Sequence, residues 1–166
     1  MQEEENIEFT NRPTGFWVLF VLSLINVSLN LYIGFSKLLS GANEQDLLNE
    51  KNYFSKIISP FKKYDSDAVQ EAIDLKFIFL DAVYANFTTY YLLYFIFYSL
   101  GFASLLLMYK RYRVGFHLYI SYSFLLLIHN YSIFSPSQLD NSELIIPGLI
   151  SILLVFLYSK HLKWMK

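Results

Sequence analysis

A chain of 166 residues that is 55 % hydrophobic, 19 % aromatic and only 16 % charged is too apolar for an ordinary soluble domain, where about a quarter of residues carry charge. Its net charge of −1 speaks against the basic face that nucleic-acid binding demands, so no nucleic-acid partner is expected. With no cysteine it has no disulfide, thiolate metal site or thiol nucleophile.

The charges that remain are segregated. Stretches 13–36, 82–109, 114–139 and 144–159 contain none. A helix crosses the hydrocarbon core with about 20 mostly apolar residues. The first three stretches suffice, and the fourth reaches the headgroups if Lys160 snorkels and the segment "HLKW" completes the helix. These runs are apolar nearly all round rather than striped, unlike the helices of a soluble bundle. Mean hydropathy is +0.36. The expected fold is therefore all-α: an integral membrane four-helix bundle forming a single membrane domain, with spans at about 14–36, 82–109, 114–134 and 144–163. The lipid bilayer is its first partner.

In chain order, the opening "MQEEENIEF" is acidic where a cleavable signal is basic, so span 1 is expected to remain as an anchor. Pro13 suits the first turn of that helix, with Thr10 or Asn11 as its cap. Gly41 suits its stop. An extramembrane helical connector follows at about 42–81. Leu47, Leu48, Phe54, Ile57 and Ile58 predict a short amphipathic helix broken at Pro60, lying on the membrane or capping the bundle. Asp67, with Gln70 in capping-box spacing, predicts the start of a long helix. That helix is expected to run unbroken from about 68 to 108, so that span 2 projects from the bilayer.

The 2–3 link carries Lys110, Arg111 and Arg113, and the tail carries Lys160, Lys163 and Lys166, whereas the 3–4 link has no basic residue. The positive-inside rule then places both termini in the cytoplasm. Trp17 and Trp164 fall at the same interface.

Six polar residues are candidates for the bundle interior: Ser23, Asn26, Asn30, His117, Ser121 and Asp81. Ser23, Asn26, Asn30, Gly34 and Lys37 recur every three or four residues along one face of span 1. An unpaired amide in lipid costs several kcal/mol, so this face should turn toward other helices. Interhelical hydrogen bonds contribute roughly 0.6 kcal/mol on average and up to about 2. Two readings are open: glue that fixes helix rotation, or a polar path with His117 and Ser121. Gly148, Ser151, Val155 and Ser159 form a small-residue face on span 4. His117 and His129 lie about 120° apart on one helix, so they cannot both aim at one ion unaided; no metal or cofactor is expected. Asp81, an acid near a span, is expected at the outer interface, paired with Lys76 or solvated. No catalytic motif or embedded carboxylate pair is present, and no enzymatic activity is expected.

The segments "RPTGFWVLFVLSLIN", "LLLMYKRYRVGFHLYI" and "LYSKHLKWMK" carry a pattern made by Met108, Lys110, Gly115, Phe116 and Tyr119. On these the chain resembles small four-span membrane proteins of unassigned function that are abundant in Bacteroidota. The resemblance covers the spans but not the connector, implies a bacterial inner (cytoplasmic) membrane, and brings no catalytic residues. The expected function is that of a non-enzymatic scaffold or accessory subunit of an envelope complex. It would meet a protein partner or a second copy through the 42–81 connector or the small-residue faces. The alternative is a small-solute or ion channel or transporter lined by spans 1 and 3.

Overall fold

The computed structural model describes residues 13–134 and 142–166. Among them the chain is all-helical: α1 (Thr14–Ser40), α2 (Glu44–Ile58), α3 (Ser66–Ala85), α4 (Phe87–Tyr109), α5 (Arg113–His129) and α6 (Ser142–Ser159). Short 3-10 turns lie at Ser59–Lys63, Asn130–Ser132 and Leu162–Trp164. Scarce glycine and proline, which favour long helices over turns, suit this content.

Helix α1 starts one residue later than the first-turn reading of Pro13 requires. Pro13 is its cap position, and its carbonyl accepts from the amides of Phe16 and Trp17 at 2.9 and 3.3 Å. Thr10 and Asn11, the expected caps, lie outside the described residues. The helix runs to Ser40 and stops at Gly41, whose φ of 72° is open to glycine without a Cβ penalty. Asn43 then caps α2, its side chain accepting from the Gln45 amide at 3.0 Å. The amphipathic connector helix ends at Ile58, just before Pro60, in line with the sequence reading.

Two features of the connector differ from expectation. Asp65, not Asp67, caps α3, accepting from the Ala68 amide at 2.9 Å. Asp67 lies in the first turn, where its charge still favours the helix N-terminus. Gln70 bonds Lys62 and Asp74 instead of closing a capping box. The unbroken helix from 68 to 108 is also interrupted, at Asn86 (φ −115°, ψ 30°). Its side-chain amide donates to the Ala82 carbonyl at 3.1 Å, the local competition for backbone partners that makes asparagine a poor residue inside a helix.

Helix α4 is central, packed by α1 on one side and α5 on the other. The approach is close because side chains are missing where the helices meet. A Cβ on Gly34 would stand 3.0 Å from Tyr94, and one on Gly101 2.7 Å from the Tyr122 ring. One core draws Phe16, Phe20 and Val27 from α1, Tyr98, Leu105 and Met108 from α4, Phe116, Tyr119 and Tyr122 from α5, and Tyr158 from α6. Helix α6 packs more lightly, with Ile145, Leu149, Ile152, Leu153 and Phe156 exposed.

The segment after α6 does not finish a helix to 163 as expected. Beyond Ser159 the chain turns through Leu162–Trp164 and folds back onto the α4–α5 turn. There the amide of Arg113 donates to the Lys166 carbonyl at 2.9 Å, and the amide of Lys166 to the Arg111 carbonyl at 2.6 Å. The Arg113 Nε donates to the Met165 carbonyl at 3.0 Å, Arg111 lies over the Trp164 ring, and Met165 is buried.

Among the described residues two helices, α1 and α4, are long and apolar enough to cross a membrane; Ile145–Ser159 is a shorter apolar helix. Only 22 % and 33 % of the most apolar windows of α1 and α4 are buried by the rest of the chain. A helix serving as the core of a soluble protein would be mostly buried. Their outward faces are apolar, with Val18, Leu22, Ile25 and Leu29 exposed on α1 and Leu92, Ile96 and Leu106 on α4.

Candidate functional site

Among the described residues the apolar core holds a few buried polar groups: Ser23, Ser104, Ser123 and His129. Ser23 is buried and accepts from the Tyr158 hydroxyl at 3.0 Å; the Tyr119 ring packs edge-on against that of Tyr158, 5.0 Å between centres. Across the core, the Tyr98 ring lies between those of Tyr94 and Tyr122, its centre 4.5 and 5.7 Å from theirs. Tyr94 in turn donates to Oδ1 of Asn30, and Asn30 Nδ2 donates to the Asn26 carbonyl and Oδ1 at 2.8 and 3.1 Å. Ser104 is wholly buried and closes on the Gly101 carbonyl at 2.6 Å. His129, also buried, sits among Tyr90, Tyr94 and Phe97, its ring centre 4.4 Å from that of Tyr90.

These hydroxyls and amides tie α1 to α4 and to α6. Phenols, alcohols and amides are neutral at pH 7, so the thread can fix helix rotation without burying a net charge. It offers no carboxylate and no strong nucleophile. Among the described residues no three His, Asp or Glu side chains come close enough to share a metal ion.

The six residues singled out from the sequence do not converge. Ser23 is in the core and Asn30 is half-buried against Tyr94. Asn26, on the same helix face by spacing, is exposed, because it lies on the flank of α1 beyond the reach of α4. His117 and Ser121 are exposed as well, on the outer side of α5, where Ser121 donates back to the His117 carbonyl at 3.1 Å. The side of α5 that meets α4 carries Gly115, Tyr119, Tyr122 and Ser123 instead. A path lined jointly by Ser23, Asn26, Asn30, His117 and Ser121 therefore does not form within the chain.

Asp81 is also exposed rather than interior, and its partner is Lys51 at 2.5 Å rather than Lys76. Lys76 instead lies over the Phe79 ring. Asp81 belongs to a polar corner where the α2–α3 hairpin meets the end of α1. Lys37 there pairs with Glu50 at 2.7 Å, and the Tyr84 hydroxyl donates to the same Glu50 oxygen at 3.2 Å. Burial alone would lower the Lys37 pKa, but the Glu50 hydrogen bond and charge outweigh it and raise it above its ordinary value. That ammonium is therefore held charged, and it links α1 to the connector.

The tyrosines of the thread were missed in the sequence because aromatic residues in membrane helices suggest interfacial belts. The spacing of Tyr90, Tyr94 and Tyr98 at successive fours, deep inside an uncharged run, was the available signal.

The α6 residues Ser151, Val155 and Ser159 line an apolar groove of about 430 Å³ against α5, with Ser123 and Leu127 on the opposite wall. Their small side chains leave the space between the two helices unfilled. No protein-family model matches the chain, and no curated protein or solved structure matches it.

Proposed function

We propose that the chain is a non-enzymatic multi-pass membrane protein with four spans, α1, α4, α5 with its following turn, and α6. In this reading it acts as a scaffold or accessory subunit of an envelope complex. The observation that carries it is where the polar and apolar groups lie: Tyr158 bonds Ser23 and Tyr94 bonds Asn30 between helices, while Val18, Leu22, Ile25, Leu29, Ile96, Ile152 and Phe156 face outward. Such a surface is stable in hydrocarbon, where an apolar exterior costs nothing and interior polar groups must find partners.

The charges support a bilayer between two ends. Lys110, Arg113, Lys160, Lys163 and Lys166 lie at one end, and the positive-inside rule makes it cytoplasmic, together with both termini. The α2–α3 hairpin, tied by the Lys37–Glu50 and Lys51–Asp81 pairs, then stands on the far side. The resemblance read from the spans favours a bacterial inner membrane.

The hairpin is the docking element in this reading. Leu48, Tyr53, Ile57 and Phe61 are exposed on it, outside any proposed span. Apolar groups collected on a water-facing surface mark protein contacts. Purification from native membranes in mild detergent is expected to bring down a stoichiometric partner. The triple substitution Leu48→Ser, Ile57→Ser and Phe61→Ser, which touches only exposed side chains, is expected to release that partner without lowering the amount of chain in the membrane. Recovery of the chain alone, or a partner retained by the triple variant, would refute the docking role.

A further inference from the structure

We infer that α1 is also a homodimer interface, in which Asn26 of one copy meets Asn26 of a second, parallel copy at the membrane midplane. This rests on the membrane reading above. Helix α1 has 27 residues, about 40 Å at 1.5 Å per residue, and Asn26 stands halfway along it. Its Oδ1 accepts from Asn30, which is itself held by Tyr94. The Asn26 side chain is exposed, its Oδ1 is taken by Asn30, and its Nδ2 donates to no described residue.

An exposed amide donor at mid-bilayer has neither water nor lipid to bond. The side chains beside it are spaced for a helix partner. Leu22, Asn26, Leu29 and Ile33 follow at steps of four, three and four, the 3.5-residue repeat of a left-handed two-helix seam, and all four are exposed. A single asparagine in such a seam sets register and favours pairing in parallel. A second copy related by a two-fold axis along the membrane normal brings the same residue to the same depth, since an isologous interface is self-complementary. Each amide can then donate to the partner copy's carbonyl oxygen. A different partner would need a polar group of its own at that depth.

The absence of native cysteine makes the test direct. Single substitutions Leu22→Cys, Asn26→Cys, Leu29→Cys and Ile33→Cys are expected to give disulfide-linked dimers when membranes are oxidised. Val21→Cys and Phe35→Cys, exposed but turned more than 100° from the seam at 100° per residue, are expected to stay monomeric. Asn26→Val is expected to weaken dimerisation in liposomes between about 3-fold and 30-fold, the span of interhelical hydrogen bonds in membranes, and Asn26→Gln to retain it. Equal cross-linking at 21, 35 and the seam, or a monomer at every dilution, would overturn the dimer and leave lipid as the cover of this face. Either result can be obtained with the chain firmly in the membrane, so it separates this inference from the membrane reading.

Discussion

Gly115→Ala is expected to destabilise the folded chain by about 3 kcal/mol, the upper part of the range for overpacking. At the α4–α5 turn, α4 ends on three backbone bonds: Lys110 to Leu106 at 3.1 Å, Arg111 to Met108 at 2.9 Å and Tyr112 to Leu107 at 2.9 Å. Arg111 takes a positive φ of 67° to make the reversal. The first turn of α5 then lies directly on the last turns of α4. A methyl group on Gly115 would stand 2.5 Å from the Met108 nitrogen and 2.8 Å from the Ser104 carbonyl oxygen. Both are backbone atoms, so no side-chain rotation relieves the clash, and the two helices must separate. Equilibrium unfolding in mixed micelles measures the effect. A midpoint unchanged by the substitution would contradict the close approach.

Met165→Ala is expected to cost about 2 to 4 kcal/mol by the same measurement, in the range of buried methionine truncations. Met165 is 2 % exposed and seals the end of the core beside Phe16, Tyr158 and Trp164. The Trp164 ring centre lies 4.9 Å from that of Phe16, so the tail bridges α1 and the α4–α5 turn. Lys163→Ala, two residues earlier and exposed, is expected to change stability by less than about 0.5 kcal/mol. Equal effects of the two substitutions would mean that the tail only rests on the surface.

Helix content and most element boundaries were legible in the sequence, because charges, Gly41 and Pro60 punctuate long apolar runs. The rotation of the helices was not. Periodicity tells which residues share a face, but it assigns the buried face only when the others are polar, and here every face of α5 is largely apolar. His117 and Ser121 were placed inward by their polarity, yet helix contact follows small residues and shape, so Gly115, Tyr119 and Tyr122 face α4 instead. The same logic separates Asn30 from Asn26: a tyrosine on α4 reaches one amide and not the other. The break at Asn86 was legible in principle, as an asparagine inside an apolar helix. The docking of residues 162–166 was not, since two backbone bonds across more than 50 positions leave no local pattern.

The glycines at the α4 contacts and the hydroxyl thread are two halves of one packing scheme. Close approach at Gly34 brings Tyr94 within bonding distance of Asn30, and this bond, with that of Tyr158 to Ser23, holds the rotation that the apolar surface leaves undetermined. In a solvent of acyl chains, where burying a leucine gains little, that scheme is what distinguishes one arrangement of helices from another.

Everything here depends on hydrocarbon being the medium around α1, α4, α5 and α6. Washing membranes that contain the chain in alkaline carbonate, which strips peripheral proteins, tests this most directly. The chain is expected to stay wholly with the lipid pellet and to leave it only with detergent. Its release into the aqueous supernatant would contradict the account.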